Sequence, residues 1–135
     1  MEFMIAVHTL VYLLHKGGCH SSSEIAINCQ VNPVQVRRVI SRFVKAGHVN
    51  RTVGSLGGYT LRPSAAKLNL REVSEICGSH FISQHWNTGN KDLDCPVARG
   101  MSGFSSKLIA QMDEQLRTYL ENYTIEEIKK ELVGE

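Results

Sequence analysis

Apolar residues fall on every side of the first segment, from about Phe3 to His15 (Ile5, Ala6, Val7, Leu10, Val11, Leu13, Leu14), and the run stops at Gly17-Gly18. That pattern predicts a buried helix with a glycine stop. Ser21 and Glu24 then have the spacing of a capping box ahead of Ile25-Ala26, which predicts a short second helix to about Cys29. Asn32 is a good N-cap, Pro33 suits the first helical position, and Gln35 stands where a capping partner belongs, so a third helix opens there and closes at Ala46-Gly47. Val36, Val39, Ile40, Phe43 and Val44 make its buried stripe; Gln35, Arg38 and Arg42, flanked by Arg37 and Ser41, lie on another side.

Two short helices joined by a tight turn, the second one basic, match a helix-turn-helix whose second helix enters a major groove. The same face also fits a solvated helix side. His48 to Val53 and Tyr59 to Leu61 are strand-like runs around Gly54-Ser55-Leu56-Gly57-Gly58, which predicts a hairpin in the position of a wing, with Arg51 and Arg62 flanking it. GSLGG is neither a Walker sequence nor GxGxxG, so a nucleotide loop is not indicated. Asn69 and Glu72 cap a short helix through Leu70, Val73, Ile76 and Cys77, stopped by Gly78. Residues 79–97 lack periodicity and read as a long loop. Beyond them Met101, Phe104, Leu108, Met112, Leu116, Tyr119, Leu120 and Tyr123 recur at steps of mostly three and four. This predicts a long helix whose apolar stripe needs a partner, most simply a second copy; its interface residues would be Leu108, Met112, Leu116, Tyr119 and Leu120. Thr124 and Glu127 cap a last short helix.

The fold class expected is therefore mainly α with a small β-hairpin. It comprises a winged helix-turn-helix domain over 1–78, a loop suited to sensing over 79–97, and a dimerisation helix with a terminal helix over 98–135. A length of 135 residues and 42% hydrophobic content suit one ordinary globular chain. No apolar run approaches the roughly 20 residues that span a bilayer, and no basic leader or cleavage site marks the start, so a cytoplasmic protein without a membrane partner is expected. The net charge of +2 conceals an asymmetry: residues 1–67 carry eight Lys/Arg against two acidic residues, and the remainder seven against eleven. The first half alone is suited to a polyanion. Cys19, Cys29, Cys77 and Cys95 are too few and scattered for a disulfide framework and lack CxxC spacing.

The order of Ser22-Ser-Glu-Ile-Ala26, Val31-Asn-Pro-Val-Gln-Val-Arg-Arg-Val-Ile40, Val44-Lys-Ala-Gly47, Gly57-Gly-Tyr-Thr-Leu61 and Leu68-Asn-Leu-Arg-Glu-Val73 resembles the Rrf-type family of bacterial winged-helix transcriptional regulators, the IscR, NsrR and CymR type. The match is close over residues 3–78 and one of layout beyond. The resemblance implies a homodimeric regulator, a repressor in the first instance, bound to a palindromic double-stranded operator. It implies phosphate contacts from Ser22 and Ser23, base contacts from Gln35 and Arg38 near Asn32 and Arg37, and backbone or minor-groove contacts from Arg42, Arg51, Ser55 and Leu56. Many members hold an iron-sulfur cluster through three cysteines in the loop before the long helix. Here that loop holds only Cys95, which argues against a cluster and leaves no cofactor expected.

Cys29 and Cys77 sit on apolar helix faces and read as buried, inert thiols. Cys95 and Cys19 lie at or just ahead of helix starts, where partial positive charge favours a thiolate, so each is a candidate redox sensor. Redox and small-molecule effectors stay open. His80, His85, Asp92 and Asp94 with Cys95 could bind a metal, though their spacing is irregular. Two other functions also stay open: a small thiol enzyme using Cys95 with His80 or His85, which lacks an evident oxyanion region, and a winged-helix module that binds protein alone.

Overall fold

A computed structural model describes residues 1–83 and 87–134. The chain runs α1 (Glu2–Lys16), α2 (Ser22–Cys29), α3 (Pro33–Lys45), β1 (Val49–Thr52), β2 (Gly58–Leu61), a 3-10 turn (Pro63–Lys67), α4 (Leu70–Cys77), α5 (Pro96–Leu120) and α6 (Ile125–Val133). Contacts divide it into two units, residues 1–79 with 120–135, and residues 80–119. The first corrects the expected grouping of 98–135. α6 belongs with the winged helix because the Leu70 N–H donates to the Tyr123 carbonyl (2.9 Å), the Ile125 N–H donates to the Leu68 carbonyl (3.0 Å), and Ile125 is fully buried.

In the first unit α1 lies at the centre, its Ile5, Leu10 and Leu13 sharing a core with Ile25, Val36, Ile40, Phe43, Val73 and Ile125. The predicted caps form. Ser21 accepts from the Glu24 N–H, Asn69 accepts from the Glu72 N–H, and Thr124 and Glu127 close a reciprocal box, so the first-turn donors that a helix leaves unpaired are satisfied by side chains. α2 ends at Gln30 in the left-handed region (φ 57°), which makes the abrupt turn into α3.

β1 and β2 pair antiparallel in the register Val49↔Leu61 to Thr52↔Gly58. The sequence did not reveal what anchors this hairpin. His20, in the α1–α2 linker, exchanges both backbone hydrogen bonds with Tyr59 (3.0 and 2.8 Å) and so adds a one-residue third strand. Gly58 permits the approach, since a Cβ there would sit 2.3 Å from the His20 carbonyl oxygen.

The second unit is α5 and the segment that leads into it. A helix of 25 residues spans about 37 Å. Its one buried described residue is Asp113, whose carboxylate accepts from the backbone N–H groups of Phe81 (3.0 Å) and Ile82 (3.3 Å) and from Arg117 Nε (2.9 Å). Burial by itself would raise its pKa, but these donors outweigh that and hold the carboxyl below its ordinary value. The Asn90 N–H donates to the Ala98 carbonyl (2.8 Å), fastening the loop to the first turn of α5.

Candidate nucleic-acid interface

Local sequence positions α3 with little freedom. Asn32 Oδ1 accepts the Val34 N–H (2.8 Å) and Gln35 Oε1 accepts the Asn32 N–H (3.2 Å), a complete capping box with Pro33 in the first turn. Both side chains predicted for recognition therefore have structural work. Each spends its amide oxygen in the box and keeps its NH2 group to donate, Asn32 from an exposed position and Gln35 from a half-buried one.

The arginines separate into three kinds. Arg37 is exposed and donates to Ser22 Oγ (3.1 Å), tying α3 to the start of α2. Arg38 is 58% exposed and pairs with Glu2 (3.1 Å), a bond that solvent weakens to about 0–1 kcal/mol. Arg42 is less available: one of its nitrogens reaches both Glu2 (3.2 Å) and the Cys77 carbonyl (3.0 Å). Arg42, expected to reach a nucleic acid, also joins α3 to the start of α1 and the end of α4. Glu2, which accepts from two arginines of the basic face, was not foreseen; nothing in its local pattern marks it.

Farther along, Ser23, Arg51, Ser55 and Leu56 are exposed, Leu56 at 94%. Arg51 makes no ion pair or side-chain hydrogen bond among the described residues. The tip is closed by the Gly57 N–H donating to the Gly54 carbonyl (3.0 Å), and a Cβ on Gly57 would lie 2.2 Å from the Thr52 carbonyl oxygen. Arg62, at the hairpin's far end, folds back to the Gly47 carbonyl (3.3 Å). The arrangement is a stiff basic helix beside a narrow, exposed hairpin, one suited to a major groove and the other to an adjacent backbone or minor groove.

A family model described as Rrf2, iron-dependent transcriptional regulator, matches residues 1–131. The chain belongs to the Rrf2 family. A putative transcriptional regulator from Lactobacillus plantarum is 31% identical, with 97% of this chain and 89% of that one covered and a TM-score of 0.84. Similarity at the level of fold alone extends to Staphylococcus aureus CymR (18% identity, 96% and 95% covered, TM-score 0.66) and T. potens IscR (16%, 98% and 85%, TM-score 0.66). No curated protein matches the sequence. The protein is a transcriptional regulator of winged-helix architecture with a long C-terminal helix. No helix among the described residues is long and apolar enough to cross a membrane.

The Rrf2 family's description implies iron, and the donors here do not fit a cluster. One thiol, Cys95, stands in the loop where three thiolates are needed. Burial pushes the Cys29 thiol up, and pushes that of Cys77 up to about 11, which disfavours the thiolate that a metal binds. Among the described residues no three His, Cys, Asp or Glu converge on a metal-sized site. His85, a candidate for both metal and enzyme readings, lies outside the described residues. His80 faces Asp113 (3.8 Å), and Cys95 makes no hydrogen bond to a histidine among the described residues. Cys95 is exposed directly before α5, whereas Cys19 is exposed but two residues ahead of the Ser21 cap, outside the first turn of α2.

The predicted interface stripe is laid open along α5. Met101, Phe104, Leu108, Met112, Leu116 and Tyr119 are each 37–60% exposed. Leu120 departs from it: half-buried, it falls with the first unit.

Proposed function

We propose that this regulator is a homodimer that binds a palindromic double-stranded operator, α3 reading the major groove and the β1–β2 hairpin gripping the adjacent backbone or minor groove. The observation that carries this reading is the capped α3 presenting exposed Arg37 and Arg38, followed at once by a glycine-closed wing with an exposed Arg51. Gln35, through its free NH2, and Arg38, once released from Glu2, are the base readers. Arg37, Arg51, Ser22 and Ser23 supply phosphate contacts, and Ser55 with Leu56 the wing tip. Asn32 caps α3 and Arg42 ties it to α1 and α4 from exposed and half-buried positions at the edge of this face, so both also fix its geometry. The α5 stripe supplies the dimer seam, and no metal cluster takes part. Occupancy of a promoter then represses by exclusion.

A salt-dependent gel shift with selected operator DNA tests the reading, because releasing counterions from phosphates makes specific affinity fall steeply with salt. Arg38→Ala is expected to cost about 1–3 kcal/mol and blur base preference, while Arg51→Ala weakens all sequences alike. Uniform loss in both removes Arg38 from the reading set, and no specific shift at any salt leaves a protein-binding module instead. A redox signal enters at Cys95, the exposed thiol directly before α5. Cys95→Ser should then keep operator affinity and lose its response to oxidant; a retained response excludes that thiol.

A further inference from the structure

A cavity of about 400 Å³ lies between α1 and α6 in the first unit, reaching α2 at Asn28. Its size falls in the range of small-molecule sites, roughly 300–1,000 Å³. Val7 and Val11 of α1 face Ile128 and Leu132 of α6 across it, so its walls are apolar. The last turn of α1 contributes Tyr12, His15 and Lys16 to the lining. None of these three makes a side-chain hydrogen bond among the described residues, although the Tyr12 ring meets His20 edge-on (5.4 Å). An apolar trough therefore ends in a hydroxyl, an imidazole and an ammonium that no side chain among the described residues engages by hydrogen bond, His15 and Lys16 facing solvent.

We propose that this trough binds a small amphipathic carboxylate, its hydrocarbon body against Val11 and Ile128 and its carboxylate at Lys16 and Tyr12. Charge selects that class. No acidic side chain lines the cavity, and Lys16 carries a full charge against the roughly half-unit negative charge of the α1 terminus. Lys16 is exposed at the end of the trough, so an apolar face laid over it would leave that charge unmatched where a carboxylate matches it. His8 Nε2 donates to Asn28 Oδ1 (2.7 Å) at the trough's edge, so a ligand there presses on the first helix of the helix-turn-helix. That consequence, unlike the binding itself, rests on the operator-binding reading.

Sodium octanoate is the probe, titrated without DNA into the purified full-length protein by calorimetry and by NMR of α1 and α6 amides. The expected result is one saturable site per chain, with affinity at least ten-fold lower for 1-octanol and for Lys16→Ala. Leu132→Asp, at a rim position 72% exposed and hence tolerant of change, should repel the carboxylate by a similar factor while sparing 1-octanol. Absence of saturation at millimolar octanoate, or equal affinity for the alcohol, overturns the proposal. Dissociation of the dimer by Leu132→Asp in sedimentation overturns it too, since a second copy would then be the occupant. Operator affinity is measured separately: octanoate binding with no operator complex under any condition sinks the DNA reading and leaves this site standing.

Discussion

The winged-helix unit and the α5 unit bury their residues in opposite ways. In the first, Leu10, Val36, Val39, Ile40, Phe43, Val73 and Ile125 are almost or wholly inaccessible, and the polar caps lie at helix ends. In the second, the one buried described residue of a 25-residue helix is a carboxylate, and the large apolar side chains face outward. A chain that closes its core in one region and leaves a stripe open in the other has divided two tasks. The first region holds a shape by itself, and the second waits for apolar surface from elsewhere. Asp113 fits that division, because its bonds to the Phe81 and Ile82 N–H groups orient the lead-in segment without using the stripe.

The contrast breaks most visibly at Leu116. In a two-fold dimer one substitution enters twice, so Leu116→Asp, at a side chain 41% exposed in the single chain, should cost about 1–2.5 kcal/mol of association from lost apolar burial, and more from the two carboxylates it would desolvate. Sedimentation should then show a monomer whose far-ultraviolet circular dichroism is retained. An unchanged mass would place the interface elsewhere. The converse substitution lies in the closed core. Phe43→Ala should remove about 3–5 kcal/mol of stability through the cavity it leaves. It should lower the thermal midpoint while the mass at low temperature stays that of the wild type. If Phe43→Ala dissociated the dimer before unfolding it, the two tasks would not be separable.

How far the sequence disclosed this depends on how local the determining interactions are. Caps at Ser21, Asn32, Asn69 and Thr124 were legible because each joins residues three or fewer apart, and the α3 and α5 stripes because helical period is a property of the segment itself. The glycine-rich turn marked the hairpin for the same reason. Pairings across long separations left no trace: Glu2 with Arg38 and Arg42, His20 with Tyr59, and Leu68 and Leu70 with the entry to α6. These account for the second role of Arg42, whose spacing on α3 matched its neighbours but whose guanidinium also meets the ends of α1 and α4. They account also for α6 having been grouped with the dimer helix. Family resemblance added the dimer, the operator and the contact classes, and the structure then divided the named arginines into available and engaged.

The smallest effect concerns the link that seats the hairpin on the closed unit. The His20 ring donates through Nδ1 to Glu24 (2.8 Å) and through Nε2 to the Gly17 carbonyl (2.6 Å), which requires both nitrogens protonated. The Glu24 bond first, and the Gly17 carbonyl second, raise the His20 pKa above its ordinary 6.5, with burial and Lys16 opposing. The His20 bond in turn lowers Glu24 below its ordinary 4.5, again against desolvation. A raised folded pKa means that the His20 contribution is complete below about pH 6.5 and disappears as pH rises through the folded value. The depressed Glu24 value means that its contribution is present above about pH 4.5 and is lost as pH falls through the folded value. The wild type should therefore lose thermal stability between pH 6 and pH 8 more steeply than His20→Gln, which keeps the backbone bridge to Tyr59. Hydrogen exchange at the Tyr59 amide should follow the same profile. Parallel slopes for the two proteins would mean that the linker holds the wing through its backbone alone, and that the ring merely occupies the corner.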